Sequence, residues 1–239
     1  MLILGIDTST DICSVGLCRD ESFLGEINIK LKRRHSERLL PVIKHLFLES
    51  GYDLKDIEGI AVTDGPGSFT GLRIGLSTVQ AFKKALNIPV YSISSLEYMA
   101  YSISQHYNNS ILIPTIDARN KRVYTSIFKK VKEEKFLQRI KKDRALQVED
   151  LIKEIKDYNE EKIVFGSGID HYIEEFKKAE LRETKIISNI RNFGGFNLAS
   201  LGYKYLSAGY DTDYTDLVPK YLKKPQARLN WEKKYLQGD

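Results

Sequence analysis

The residues best able to do chemistry stand where apolar, strand-like runs end. One run, at residues 3–6, is followed by Asp7-Thr8-Ser9, and another, at residues 111–116, is followed by Asp117. A third run leads into a Gly-Ser-Gly turn at residues 166–168. Carboxylates, hydroxyls and unobstructed backbone amides at such positions can bind the phosphates of a nucleotide. The candidate nucleotide-binding residues are Asp7, Thr8, Ser9, Asp117 and Gly168.

The same residues also have a purely structural interpretation. A strand followed by Asp-Thr-Ser is a common sequence for a capped turn. Ser9 stands where bare backbone would let a phosphate approach most closely, so its side chain argues against phosphate binding. Short motifs of this kind also match by chance, and both interpretations stay open.

A glycine-rich segment from Asp64 to Gly75 is more specific. It lacks the lysine and the spacing of a P-loop, so it does not predict that kind of nucleotide site. Its residue types predict a tight turn between a strand and a helix, in which glycine supplies unusual backbone angles and Ser68 or Thr70 caps the helix. In that interpretation Arg73 is a solvated cation.

The sequence predicts no metal centre and no catalytic residue. The histidines are His35, His45, His106 and His171. No two of them have the i, i+4 spacing of a helical metal site. Cys13 and Cys18 fall in one predicted strand, where buried, reduced thiols are expected. No Ser/His/Asp set follows from the spacing of the other polar residues.

Strand and helix patterns alternate along the chain, which predicts an α/β fold. Three strands in an antiparallel meander precede a helix that begins at Ser36, has Pro41 in its first turns and ends before Gly51. A buried strand at residues 57–63 then leads into the glycine-rich turn and a second helix.

The pattern restarts at residue 111, which predicts two related domains. We expect an N-terminal domain at residues 1–105, a second and degenerate domain at 106–215, and a basic segment at 216–239. The sheets should be mixed and flanked by helices.

Composition indicates a folded chain. The 239 residues are 42% hydrophobic and 29% charged, which is typical of globular proteins. No segment has the ~20 consecutive apolar residues of a membrane span, and the first residues do not resemble a signal peptide, so we expect a cytoplasmic protein that does not bind membranes. The formal net charge of +5 is compatible with a nucleic-acid partner.

The basic C-terminal segment alternates cations with aromatic residues. Its residues of interest are Lys220, Tyr221, Lys223, Lys224, Arg228, Trp231, Lys233, Lys234 and Tyr235. This pattern is typical of two different structures, an RNA-binding surface and an amphipathic segment packed on the protein. The sequence favours packing because aromatic residues bury well and the net charge is modest.

One stretch resembles the signature of a known family. Gly65-Pro66-Gly67-Ser68-Phe69-Thr70-Gly71-Leu72-Arg73-Ile74-Gly75 is similar to the signature of the TsaB (YeaZ) family. The stretches Leu4–Ser9, His35–Pro41 and Ser94–Glu97 follow the family's order and spacing. The resemblance covers residues 1 to about 100 strongly. Beyond that it is loose, with residues 116–119 and Tyr221-Leu222 as the better matches.

The resemblance implies a two-domain actin-like ATPase fold of the ASKHA or sugar-kinase-like, ribonuclease H-like type. It implies an accessory, non-catalytic subunit that pairs with the catalytic paralogue TsaD and is joined by the ATPase TsaE. The complex would transfer a threonylcarbamoyl group to N6 of adenosine 37 in tRNAs that read codons beginning with A. No cofactor would bind this chain tightly, ATP or ADP would bind in the complex, and the chain would form a homodimer without its partner.

The resemblance also implies a partner interface and the loss of a metal site. Two helices would form the interface, through Leu40, Ile43, Phe47, Arg73, Leu76, Val79, Phe82 and Lys83. Ser95 and Met99 stand where TsaD has its two metal-binding histidines, and both are poor ligands for a catalytic iron or zinc ion. Two other functions remain as alternatives, an independent ATP-dependent phosphotransferase of the sugar-kinase type and a free-standing RNA-binding module.

Overall fold

Two five-stranded sheets form the framework of the protein in a computed structural model, which describes residues 1–31, 35–131, 136–190 and 193–222. The strands of the first sheet are β1 (Leu2–Asp7), β2 (Ile12–Arg19), β3 (Ser22–Lys30), β4 (Gly59–Gly65) and β5 (Val90–Ser94). The strands of the second sheet are β6 (Ile111–Asp117), β7 (Arg122–Lys129), β8 (Gln138–Gln147), β9 (Lys162–Phe165) and β10 (Thr184–Ile187). The helices are α1 (His35–Ser50), α2 (Phe69–Leu86), α3 (Ser95–Ser104), α4 (Val148–Ile155), α5 (Ser167–Lys178) and α6 (Gly195–Ser207).

Both sheets have the same topology. The first has the order β3-β2-β1-β4-β5, and the second has the matching order β8-β7-β6-β9-β10. In each sheet three strands form an antiparallel meander, a later strand pairs in parallel with its first strand, and a fifth strand pairs in parallel with that later one. The prediction of an α/β fold with two mixed sheets is therefore confirmed.

The helices form three layers with the sheets. Helices α1 and α2 pack on the outer face of the first sheet, and α4 and α5 pack on the outer face of the second. Helices α3 and α6 lie between the sheets in a core to which both sheets contribute, including Ile3, Leu112 and Phe165. This central layer holds the two halves together.

Helix α6 approaches the first sheet closely. A Cβ built on Gly16 would lie 2.1 Å from the carbonyl carbon of Gly195, and one built on Gly5 would lie 2.5 Å from the Gly195 oxygen. Only glycine allows this backbone contact, because any side chain would separate the two elements. Helix α6 belongs to the predicted second domain by sequence but packs on the first sheet. The domain boundaries stay a prediction.

Several local predictions agree with the structure. Ser68 caps α2 by accepting a hydrogen bond of 3.2 Å from the Gly71 amide. Cys13 and Cys18 are free, buried thiols in β2. The strand predicted to start at residue 57 begins at Gly59, because a short 3-10 helix at Leu54–Asp56 precedes it.

None of the helices within the described ranges is both long and apolar enough to cross a membrane. The longest of them, α2, has 18 residues and includes Arg73, Lys83 and Lys84. Its buried residues lie on the side that faces the first sheet.

We expect Gly16→Ala to destabilise the protein by about 3 kcal/mol, because a methyl group cannot fit between β2 and α6 without moving backbone. Gly25→Ala in the neighbouring strand is the control, since its Cβ would meet only a side-chain methyl of Leu46 at 3.2 Å. Urea unfolding measures both changes. Equal losses in the two variants would contradict a specific backbone contact at Gly16.

Candidate functional site

The end of β1 carries a buried carboxylate. Asp7 Oδ1 accepts a hydrogen bond of 2.9 Å from the Ser9 amide and one of 2.7 Å from the Thr63 hydroxyl. Burial raises the pKa of Asp7, while the hydrogen bonds from Ser9 and Thr63 and the nearby His35 lower it. The carboxylate is therefore engaged by groups of its own turn and of β4.

The glycine-rich segment packs on the turn that follows β1. Gly67 lies in the turn just before α2, and Gly71 and Gly75 are spaced four residues apart, so they lie on one side of the start of the helix. The built Cβ atoms of these three glycines would lie 2.4 Å from Ser9 O, 2.0 Å from Thr8 O and 2.4 Å from Thr8 Oγ1, respectively. The sequence signature thus encodes a helix face without side chains.

Hydrogen bonds fix this contact. The Thr8 hydroxyl donates to the Gly71 carbonyl at 2.7 Å, and the Ser68 amide donates to the Ser9 carbonyl at 2.7 Å. Thr8 and Ser9 are both buried. A phosphate could reach them only if α2 moved, although nucleotide binding itself stays a prediction.

Hydrogen bonds also hold together the second candidate nucleotide-binding region, at Asp117 and the Gly-Ser-Gly turn. Asp117 Oδ1 accepts hydrogen bonds from the Arg119 amide at 2.9 Å and the Tyr172 hydroxyl at 3.3 Å. The Asp117 amide donates to Ser167 Oγ at 3.2 Å, which joins this residue to the Gly-Ser-Gly turn. Gly168 lies against Thr115, whose Cβ would be 2.8 Å from a Cβ at that glycine. The structure therefore brings Asp117 and Gly168 into one region, as the sequence predicts for strand ends of one sheet.

Asp64 is a candidate functional residue that the motif analysis did not single out. Its side chain is completely buried at the end of β4, and Lys220 Nζ lies 2.7 Å from its Oδ2 atom. Ser92 contributes a side-chain hydrogen bond to the same carboxyl group. Burial raises the pKa of Asp64, and the Lys220 ammonium opposes that shift.

Residues 211–222, which we call the strap, run along β5 and α2. The Thr212 amide donates to Val90 O at 2.7 Å, and Leu217 is buried in the outer core of the first sheet. At the end of the strap the Tyr221 ring stacks on Phe69, with ring centroids 4.3 Å apart. The strap therefore ends against the glycine-rich turn.

The two cations predicted at the rim of a partner interface are bonded to the strap. Arg73 Nε donates to the Tyr221 hydroxyl at 2.8 Å, and Lys83 Nζ lies 2.7 Å from Asp211 Oδ1. Of the basic C-terminal segment, Lys220 and Tyr221 pack on the protein. Its remaining residues of interest lie outside the described part of the chain: Lys223, Lys224, Arg228, Trp231, Lys233, Lys234 and Tyr235.

The apolar residues predicted at the interface do not share one surface. Four of them are buried in the core between the two helices and the first sheet: Ile43, Phe47, Leu76 and Val79. Leu40 is 53% exposed and Phe82 is partly buried. Four of the predicted contacts thus serve this chain's own core, and the interface itself stays a prediction.

The described residues offer few side chains that could bind a metal ion together. The described ranges contain no group of three or more His, Cys, Asp or Glu residues that could hold one. Ser95 and Met99 are buried, and the Met99 methyl group lies against Gly166. A thioether packed on backbone does not fit the imidazole position of a catalytic metal site. His35 is buried, with no hydrogen-bond partner for Nε2 among the described residues.

A polar cluster missed by the sequence analysis joins the two sheets. Arg139 on β8 bonds to Glu97 on α3 at 2.5 Å and also to Asp143. The Ser94 hydroxyl donates to Asp143 at 2.5 Å, and Tyr205 on α6 donates to Glu97. Ordinary charged residues far apart in the sequence gave no signal for this cluster. Its groups bond to one another, which indicates a structural joint.

Comparisons with known proteins agree with this geometry. The family model described as "TsaD: tRNA N6-adenosine threonylcarbamoyltransferase" matches residues 25–231. The chain is 29% identical to the tRNA threonylcarbamoyladenosine biosynthesis protein TsaB of Bacillus subtilis, over 97% of this chain and 98% of that protein. The match therefore spans nearly the full length of both chains.

Solved structures show the same architecture. YeaZ from Pseudomonas aeruginosa is 25% identical, with a TM-score of 0.76 over 92% of this chain and 99% of that chain. The ROK hexokinase of Thermus thermophilus is 12% identical, with a TM-score of 0.51 over 87% of this chain and 100% of that chain. The second similarity shows a shared fold alone.

Replacing the Asp7 carboxyl by an amide should change how stability depends on pH. A carboxyl whose pKa is raised by folding binds its proton more tightly in the folded chain, so the folded state loses stability as the pH rises above about 4. We expect Asp7→Asn to gain stability relative to the unaltered chain between pH 4 and pH 7. Urea unfolding at several pH values measures this difference.

Thr63→Val is the companion variant. It removes a hydroxyl that donates to the ionised Asp7 carboxylate. The free energy of unfolding of this variant should therefore fall further below that of the unaltered chain as the pH rises over the same range. If the unfolding free energies of Asp7→Asn and the unaltered chain differ by the same amount at every pH, ionisation of Asp7 does not destabilise the folded protein.

Proposed function

The chain belongs to the TsaB (YeaZ) family, and from that premise we propose that it acts in the synthesis of threonylcarbamoyladenosine in tRNA as the non-catalytic partner of a TsaD-type transferase. The transfer chemistry then takes place on the paralogue. This chain supplies a docking surface that holds the paralogue in its active arrangement.

The observation that best supports this role is a pair of exposed leucines on α1. Leu40 and Leu48 are 53% and 73% exposed, and they stand two helical turns apart on one side of the helix. Large apolar side chains on the exposed side of a helix favour a partner surface, because their burial on association is favourable.

The neighbouring surface of α2 fits the same role. Ser77, Ala81 and Ala85 are exposed and spaced four residues apart. Small side chains let a second helix approach closely, since interaxial distance depends on the residues at the contact. Helices α1 and α2 contact each other, so their exposed sides form one continuous surface. A helix pair from the paralogue can pack there as a four-helix arrangement.

The wider assembly follows from the same proposal. The ATPase TsaE joins the pair, ATP or ADP binds in the complex, and tRNA contacts the assembly, with adenosine 37 as the modified residue. Without the paralogue, two copies of this chain pair through the same surface, because exposed leucines favour burial against any matching apolar helix.

The test is a reconstituted modification assay. Unmodified tRNA is incubated with purified TsaD, TsaE and a source of threonylcarbamoyl-adenylate, with and without this protein. We expect product only when the protein is present, and none from the protein alone. Undiminished product in its absence would overturn the accessory role, and ATP turnover by the isolated protein would favour the phosphotransferase.

The double variant Leu40→Glu/Leu48→Glu should lose affinity for TsaD by about 100-fold, because two carboxylates would be buried on association. Its unfolding free energy should change by less than about 0.5 kcal/mol, since both side chains are exposed. Calorimetric titration with TsaD measures the affinity.

Phe23→Glu is the matched control, because Phe23 is 58% exposed and contacts Phe196 of α6, on the face of the first sheet opposite to α1 and α2. It should bind TsaD as the unaltered chain does. Equal binding by the control and the double variant would place the interface elsewhere.

A further inference from the structure

The strap is anchored firmly along its first part. Val90 and Ser92 of β5 donate their amides to the side chains of Asp211 and Thr212, at 2.8 and 3.0 Å. Gln80 of α2 donates to the carbonyl of Leu217 at 2.9 Å, and the Leu217 side chain is buried. These contacts fix the strap to the fold as far as Leu217.

The outer end of the strap is held by a separate set of contacts. The Lys220 amide donates to the Asp64 carbonyl at 2.8 Å, and its ammonium pairs with the Asp64 carboxylate. Tyr221 stacks on Phe69 and accepts the hydrogen bond from Arg73. Val218, Lys220 and Tyr221 are otherwise exposed to water.

The ion pair at this end is asymmetric. The Lys220 side chain is 65% exposed, whereas the Asp64 side chain is 0% exposed. Lys220 loses little when it turns into water, whereas Asp64 then loses the ammonium beside its buried carboxyl and keeps only the side-chain hydrogen bond with Ser92. The need of Asp64 for a counter-charge therefore keeps the strap closed, and another cation or donor that reaches Asp64 would allow it to open.

The closed strap covers groups at the start of α2. Phe69 lies under the Tyr221 ring, and the Arg73 guanidinium donates a hydrogen bond to the Tyr221 hydroxyl. Arg73 is one turn before Ser77, so it borders the surface to which the proposed function assigns the paralogue. A partner helix that extends along α2 to its first turn meets Tyr221.

We propose that residues 218–222 form a reversible latch, which must lift from Phe69 and Arg73 before the paralogue can engage the whole of α2. This inference rests on the proposed function and adds a regulatory step to it. The apparent affinity for the paralogue is then reduced by the fraction of molecules in which the latch is closed.

Opening the latch by mutation tests the proposal. The double variant Lys220→Met/Tyr221→Ala removes the ion pair and the ring contact and leaves the anchored part of the strap unchanged. Hydrogen exchange of the isolated protein should become at least tenfold faster for the amides of residues 218–222. Calorimetric titration should show about tenfold tighter binding to TsaD.

Val218→Ala is the matched control, since Val218 is exposed and lies in the same segment. Its exchange and its affinity should equal those of the unaltered chain. Unchanged exchange in the double variant would show that these contacts do not hold the segment, and would overturn the latch. Faster exchange with unchanged or weaker binding would show that the strap does not compete with the partner.

The two proposals fail in different ways. If neither the unaltered chain nor any variant binds TsaD, the proposed function is wrong. The proposal that residues 218–222 compete with the paralogue for α2 is then wrong as well. If the unaltered chain binds and supports modification but the open variant binds no more tightly, only the latch is wrong.

Discussion

Glycine on one side of α2 lets the start of this helix rest directly on the turn after β1. With ordinary side chains at residues 67, 71 and 75, the helix and the turn before it would stand farther from the sheet. The position of the helix determines where Phe69 and Arg73 point, and these two side chains receive the strap. The same contact buries Thr8 and Ser9, two of the residues that the sequence predicts to bind a nucleotide. One steric constraint thus links the sequence signature, the position of the strap and the burial of Thr8 and Ser9.

The strands of the two sheets could be predicted because each strand pattern is contained in a short stretch of sequence. Each half begins with an apolar run that ends in aspartate, at Asp7 and Asp117, and the strands that follow alternate with helical patterns. The cap at Ser68 was also predictable, since it depends on residues three positions apart. In all these cases the interacting residues are neighbours in the sequence.

The site was less predictable because its contacts join distant parts of the chain. Periodicity shows that one side of a helix is apolar, but it does not tell whether that side packs on its own sheet or on a partner. Ile43 and Leu76 were therefore assigned to an interface although they lie in the core. The pairs Lys220 with Asp64 and Tyr221 with Phe69 form only because the strap returns to the first sheet. The family resemblance identified the glycine-rich motif at residues 65–75, but it gave no information on which residue packs against that motif.

The packing of α6 also bears on how the chain is made. Helix α6 (Gly195–Ser207) covers the inner face of a sheet whose five strands all precede residue 95. During synthesis that sheet leaves the ribosome with Gly5, Gly16 and the apolar side chains of one face uncovered. Helix α3 (Ser95–Ser104) follows at once, but the part of the inner layer that α6 supplies arrives only after most of the second half has emerged. The two halves share a topology, but the first cannot complete its core until nearly the whole chain has been translated.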